Sequence, residues 1–188
     1  TGDRGSLWTQ LGHRLALETG RSVVFINGGV TSSTYRDWTL HSTGYFERLQ
    51  FAVKDAASVG LSVNLVIWHQ GESDAKRTAD TATFQAEIDS LLRRMRAHLT
   101  LGSIRPILLF ETSLCSGGKR RRPNGPLREA QRLAAESTTG VRIAMDTDNL
   151  GMRERYDDCH FNARGRTVIV DRLAELILPL VKGVASAP

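Results

Sequence analysis

The sequence predicts an α/β fold of three layers, a parallel β-sheet with helices on both faces. Three observations carry this. Short apolar runs at Ser22 to Ile26, Val63 to Ile67, Pro106 to Phe110 and Val141 to Met145 have strand length, and they alternate with longer stretches whose apolar residues recur at helical spacing. Regular alternation calls for parallel strands joined by crossover helices. A chain of 188 residues with 40% hydrophobic content also suits one domain, residues 1–188, around one core.

In order, Leu7, Trp8, Leu11 and Leu15 mark a first helix over residues 6–19, with Ser6 as N-cap and Gly20 as stop. The Ser22 to Ile26 strand follows, broken by Asn27-Gly28-Gly29 into the polar loop Thr31 to Thr34. Phe46, Leu49, Val53 and Ala57 mark a helix closed by Gly60. After the Val63 to Ile67 strand, Phe84, Ile88, Leu91, Leu92, Met95 and Leu99 form an amphipathic stripe over about Thr81 to Leu99. Beyond the Pro106 to Phe110 strand lies a loop, Glu111 to Gly125, and then a helix opened by Pro126 and carrying Leu127, Ala130, Leu133 and Ala134. Val141 to Met145 is the last strand, and Ile169, Leu173, Leu176, Ile177 and Leu180 define the last helix. There is no internal repeat, low-complexity tract or linker.

Composition narrows the function classes. The longest apolar runs, about five or six residues, fall far short of the roughly 20 that a membrane-spanning helix needs. The net charge of +5 includes one dense run, Lys119 to Arg122, without the interleaved aromatics of a nucleic-acid stacking platform. That run reads as a solvated loop or a cationic rim. Cys115 and Cys159 lack metal-site spacing and are enough for one disulfide. His13, His41 and His98 form no ligand cluster. Because the chain begins at Thr1 without a charged and apolar leader, targeting is not readable from this end.

Chemistry concentrates in two stretches. Trp68-His69-Gln70-Gly71-Glu72-Ser73-Asp74 directly follows a buried-strand run, at the carboxyl edge where open α/β sheets bind ligands. Gln70 offers a neutral amide donor of the type that holds an oxyanion, or else it satisfies nearby backbone. Glu72 and Asp74 are either an acid/base couple or braces for the loop, and His69 beside a Trp reads as structural. Asp157 and His160, three apart before a helix, match the orienter and base of a nucleophilic triad; an Asp near a helix start is also ordinary capping.

Together with Asp157-Asp158-Cys159-His160-Phe161-Asn162, Gly165, Gly5-Ser6-Leu7-Trp8 and Trp38, the Trp68 to Asp74 block resembles the SGNH (GDSL-like) hydrolase superfamily. Within it, the likeness is to the sialate O-acetylesterase and acetylxylan esterase branch. The resemblance implies a flavodoxin-like sheet and a serine-type esterase that removes O-acetyl groups from a carbohydrate without a cofactor. His160 would be the base, Asp157 its orienter, Gln70 an oxyanion donor and Glu72 a supporting residue. The family's second oxyanion donor, the backbone N–H of a Gly, falls on Ser32. A non-catalytic carbohydrate-binding module, or an acyltransferase or lipase of the same superfamily, remains open, and a secreted or periplasmic setting is favoured over the cytoplasm.

The family's nucleophile turn, Gly-Asp-Ser or Gly-Gln-Ser-Asn after a first strand, has no counterpart; Gly2-Asp3-Arg4-Gly5-Ser6 lacks the strand, and Ser6 reads as a helix cap. The nucleophile is therefore unassigned. The expectation is that a first strand and its serine lie upstream of residue 1, between the strands ending near Ile26 and Ile67. Asp157, His160, Gln70 and Ser32 are further expected to converge at one sheet edge, with Cys115 close to Cys159.

Overall fold

The computed structural model describes residues 5–99, 106–115 and 122–182. Two compact units are present: one runs from Ile26 to Asp148, the other joins the residues up to Phe25 with those from Asn149 onward.

The first unit carries the sheet. Strands β1 (Val66–Trp68), β2 (Ile107–Glu111) and β3 (Val141–Asp146) pair in parallel in the order β1-β2-β3, with Val66 opposite Ile107 and Ile107 opposite Val141. Helix α4 (Thr81–His98) joins β1 to β2, and α5 (Gly125–Ser137) joins β2 to β3. Two successive crossovers running the same way put both helices on one sheet face, where they pack on each other. Five residues of the expected stripe, Phe84, Ile88, Leu91, Leu92 and Met95, are each 0–1% exposed. Burial of one such side chain contributes about 1.5–3 kcal/mol.

Helix α4 starts at Asp80, whose carboxylate accepts from the Thr83 N–H at 2.8 Å. Helix α5 starts at Asn124, with Pro126 in its first turn. Two further helices, α2 (Tyr35–Thr39) and α3 (Tyr45–Ser58), precede β1. The sequence reading did not foresee α2, which is too short to show a period. Its signal is the capping box between Thr34 and Asp37, whose carboxylate accepts from the Thr34 N–H at 2.8 Å.

In the second unit, α1 (Leu7–Thr19) packs on α6 (Ala163–Lys182). The Ser6 hydroxyl accepts from the Trp8 N–H at 3.2 Å, and Gly20 closes α1 with φ 67°, as expected from the sequence. Leu11 and Leu15 meet an apolar stripe that includes Ile169, Leu173 and Ile177, all buried. An Arg14–Asp171 ion pair joins the two helices.

Two expectations need correction. Ser22 to Ile26 forms no strand, so the chain shows three strands among its described residues rather than four. A strand requires a partner for its N–H and C=O groups, and this run has no paired strand beside it among the described residues. Val24 is 62% exposed, and the Phe25 ring turns to α1, 5.5 Å from the Trp8 ring and against Gly12, where any Cβ would strike it. The strand expected at Val63 to Ile67 is paired instead at Val66–Trp68. Its ladder begins with the Val66 N–H donating to the Pro106 carbonyl at 3.1 Å, and in this register Val63 and Asn64 would fall opposite positions outside the described residues.

Candidate active site

The polar block after β1 is folded into a buried network. Gly71 lets the backbone pass against β2's end, since a Cβ there would lie 2.1 Å from the Thr112 carbonyl. Tight passage brings Gln70 against the loop that leads into α2. The Gln70 Nε2 donates to the Ser33 carbonyl and, at 3.0 Å, to Asp74 Oδ2. Gln70 Oε1 lies 3.2 Å from the Ser33 hydroxyl, which itself accepts from the Trp38 indole N–H at 3.0 Å. Both amide hydrogens of Gln70 are thus engaged by protein acceptors, a detail that sequence could not show.

Asp74 is fully buried and also accepts from the Tyr35 N–H at 2.9 Å and from Arg77 at 3.4 Å. Arg77 is held in turn by two 2.7 Å bonds to Glu87. Burial raises the Asp74 carboxyl to about 6, against the opposing pull of the Gln70 and Tyr35 hydrogen bonds and the Arg77 charge. Of the two readings left open for Glu72 and Asp74, the geometry matches bracing. Glu72 pairs with His69 Nδ1 at 3.3 Å, and the His69 ring stands edge-on to Phe110.

Ser32 has φ 61°, the one non-glycine residue with positive φ among the described residues. It is the third residue of a turn closed by the Ser33 N–H donating to the Val30 carbonyl at 3.3 Å, a position where turns of this hand favour Gly. Its left-handed backbone costs roughly 1–2 kcal/mol in an L-residue. Ser32 is exposed, and nothing among the described residues accepts from its N–H. Ser32 therefore holds a backbone conformation that suits Gly better than a residue with a Cβ.

In the other unit, Asp157 Oδ2 meets His160 Nδ1 at 2.8 Å, and Oδ1 accepts from the Cys159 and His160 N–H groups at 2.7 and 2.6 Å. Burial works to raise the Asp157 carboxyl, but these bonds and the imidazole overcome it and hold it at about 2. The Tyr156 ring stacks on His160, with centroids 5.5 Å apart and planes 9° apart. Gly165 lets α6 approach this loop closely, because a Cβ there would lie 2.1 Å from the Glu154 carbonyl. Ser6 spends its hydroxyl on capping α1.

Neither cysteine is free: Cys115 and Cys159 are both disulfide-bonded, which answers a question the sequence left open. Lys119 to Arg121 lie outside the described residues. Among the described residues no group of His, Cys, Asp and Glu side chains could hold a metal ion, and no helix is long and apolar enough to cross a membrane.

Three residues, Tyr35 and Gln131 buried and Asp148 partly so, escaped the sequence reading. Tyr35 donates its hydroxyl to the Gln70 carbonyl at 2.9 Å. Gln131, fully buried on α5, accepts from the Thr112 N–H at 3.0 Å and donates to the carbonyls of Gln70 at 3.0 Å and Thr112 at 3.1 Å. Its signal was present: a polar residue within the apolar stripe Leu127, Ala130, Ala134. Asp148 accepts from the Ser113 and Leu114 N–H groups, both at 2.9 Å, and shapes the loop after β2.

A probable carbohydrate esterase of Arabidopsis thaliana is 29% identical over 103 residues, which are 54% of this chain and 38% of that protein. The crystal structure of an Arabidopsis thaliana protein aligns with a TM-score of 0.63 at 24% identity, over 78% of this chain and 57% of the other, and it shares the fold. The chain thus spans between about two fifths and three fifths of the relatives it matches. The family model for carbohydrate esterases of the sialic acid-specific acetylesterase type matches residues 8–179, and the chain belongs to that family.

Proposed function

We propose that the protein is a serine-type carbohydrate esterase that removes O-acetyl groups from a sugar. The observation that carries the reading is the 2.8 Å bond between Asp157 and His160 Nδ1, which fixes the imidazole tautomer and leaves Nε2 as the base. His160 takes the proton of a serine hydroxyl as its oxygen attacks the acetyl carbonyl carbon, then returns it to the leaving sugar oxygen. Water repeats the sequence on the acyl-enzyme and releases acetate. The Ser32 N–H, which lacks an acceptor among the described residues, and Gln70 Nε2 are the oxyanion donors, Gln70 exchanging its bond to the Ser33 carbonyl for the oxyanion.

The nucleophile is placed on a strand that pairs along the open side of β1. In the β1–β2 register, the N–H and C=O groups of Ile67 point away from β2, and β1 is only half-buried whereas β2 is fully buried. The full-length protein should hydrolyse p-nitrophenyl acetate and O-acetylated sugars, and His160→Ala should abolish turnover. A fluorophosphonate should label one serine, which peptide mapping then identifies. Label on Ser6 would overturn this placement of the nucleophile, and full turnover by His160→Ala would overturn the mechanism. One observation favours a non-catalytic, carbohydrate-binding reading, namely the full engagement of Gln70's amide. Sugar binding without hydrolysis would select it.

A further inference from the structure

We infer that Asp74 is the positioning residue of the oxyanion site: it decides which end of the Gln70 carboxamide faces Ser33 and anchors the turn that presents the Ser32 N–H. The inference rests on the proposed esterase reading. A carboxylate only accepts, so of Gln70's two ends only the NH₂ can face Asp74 Oδ2, at 3.0 Å. Oε1 is then turned to the Ser33 hydroxyl, and the second Nε2 hydrogen to the Ser33 carbonyl. Asp74 Oδ1 simultaneously holds the Tyr35 N–H, two residues beyond Ser33.

One buried carboxylate therefore fixes both the side chain proposed as donor and the segment that carries the backbone donor. Asp74 is fully buried, so bulk solvent does not compete for either bond. Arg77, itself clamped to Glu87, supplies the countercharge without touching Gln70 or Ser33. Gln70 cannot rotate its amide without setting its own carbonyl oxygen against the Asp74 carboxylate and the Ser33 carbonyl.

Asp74→Asn in the full-length protein tests this. An Asn offers one oxygen to the three donors Tyr35 N–H, Gln70 Nε2 and Arg77, so the Gln70 amide must reorient. In ¹⁵N-resolved NMR the unaltered protein should show two separate, slowly exchanging Gln70 Nε2 protons, and D74N should move or average that pair and shift the Ser32 amide. With acetyl ester substrates, D74N should lower kcat about 10- to 100-fold with KM within about 3-fold. In a double-mutant cycle, D74N should cost several-fold less in a Gln70→Ala background than in the unaltered one, because the part of its effect that passes through Gln70 is gone while the part that passes through the Tyr35 N–H and the Ser32 turn remains.

Equal losses in both backgrounds, or an unmoved Gln70 pair, overturn the inference. If D74N does not fold, Ser33→Ala replaces it: with Asp74 intact, the Gln70 protons should stay separate and slow, and averaging would show that Ser33 rather than Asp74 sets the amide. Absence of ester hydrolysis by the unaltered protein refutes the preceding function instead, and the resonances alone then decide whether Asp74 positions Gln70.

Discussion

Replacing Gln131 by Leu keeps the volume of a fully buried side chain but removes the partners of a strand end. Gln70's carbonyl would still accept from the Tyr35 hydroxyl at 2.9 Å. The Thr112 N–H and C=O, bonded to Gln131 at 3.0 and 3.1 Å, would lose the bonds that satisfy them in a residue that is 1% exposed. Each buried, unsatisfied backbone group costs about 1–3 kcal/mol, and burying a Leu stem in place of an amide returns roughly 1 kcal/mol. The net loss is about 3 kcal/mol, a large part of the roughly 5–15 kcal/mol that holds a domain folded. With a urea slope of about 2 kcal/mol/M, the unfolding midpoint should fall by about 1.5 M at an unchanged slope. A midpoint within about 0.25 M of the unaltered protein would refute the reasoning, because it would mean that Thr112 finds other partners once Gln131 is gone.

Gly165→Ala should destabilise by at least about 2 kcal/mol in the same assay, since its Cβ would fall on the Glu154 carbonyl, a backbone atom that cannot swing aside. Ser32→Val should cost about 1–2 kcal/mol and Ser32→Gly should be neutral or stabilising, because φ 61° disfavours a β-branched side chain and suits Gly; equal effects would argue against the turn geometry. Asp74 is raised in the fold to about 6 from an ordinary carboxylate value, so its share of stability is fully present below about pH 4 and is lost as pH rises through 6. That share is about 3 kcal/mol at most, and Asp74→Asn should flatten the stability profile between pH 4 and 7. Asp157 carries the opposite sign, its small exposed contribution being present above about pH 4 and lost as pH falls through about 2.

What the sequence determined by itself is local. Helix α1 between Ser6 and Gly20, the stripe of α4 and the Pro126 start of α5 follow from caps and 3.6-residue periodicity, which each segment carries within itself. The Asp157–His160 pair was legible for the same reason, as three residues of separation in one loop leave the two side chains within reach. The fate of Ser22 to Ile26 was not, because a strand exists only with a neighbour, and there Phe25 packs on α1 and Val24 faces solvent instead. Nor could sequence show that Gln70's amide is already engaged, or that Gln131, 61 residues further on, meets the Gln70 carbonyl. Those bonds join residues from separate elements, and only packing sets the distances and angles that a hydrogen bond needs.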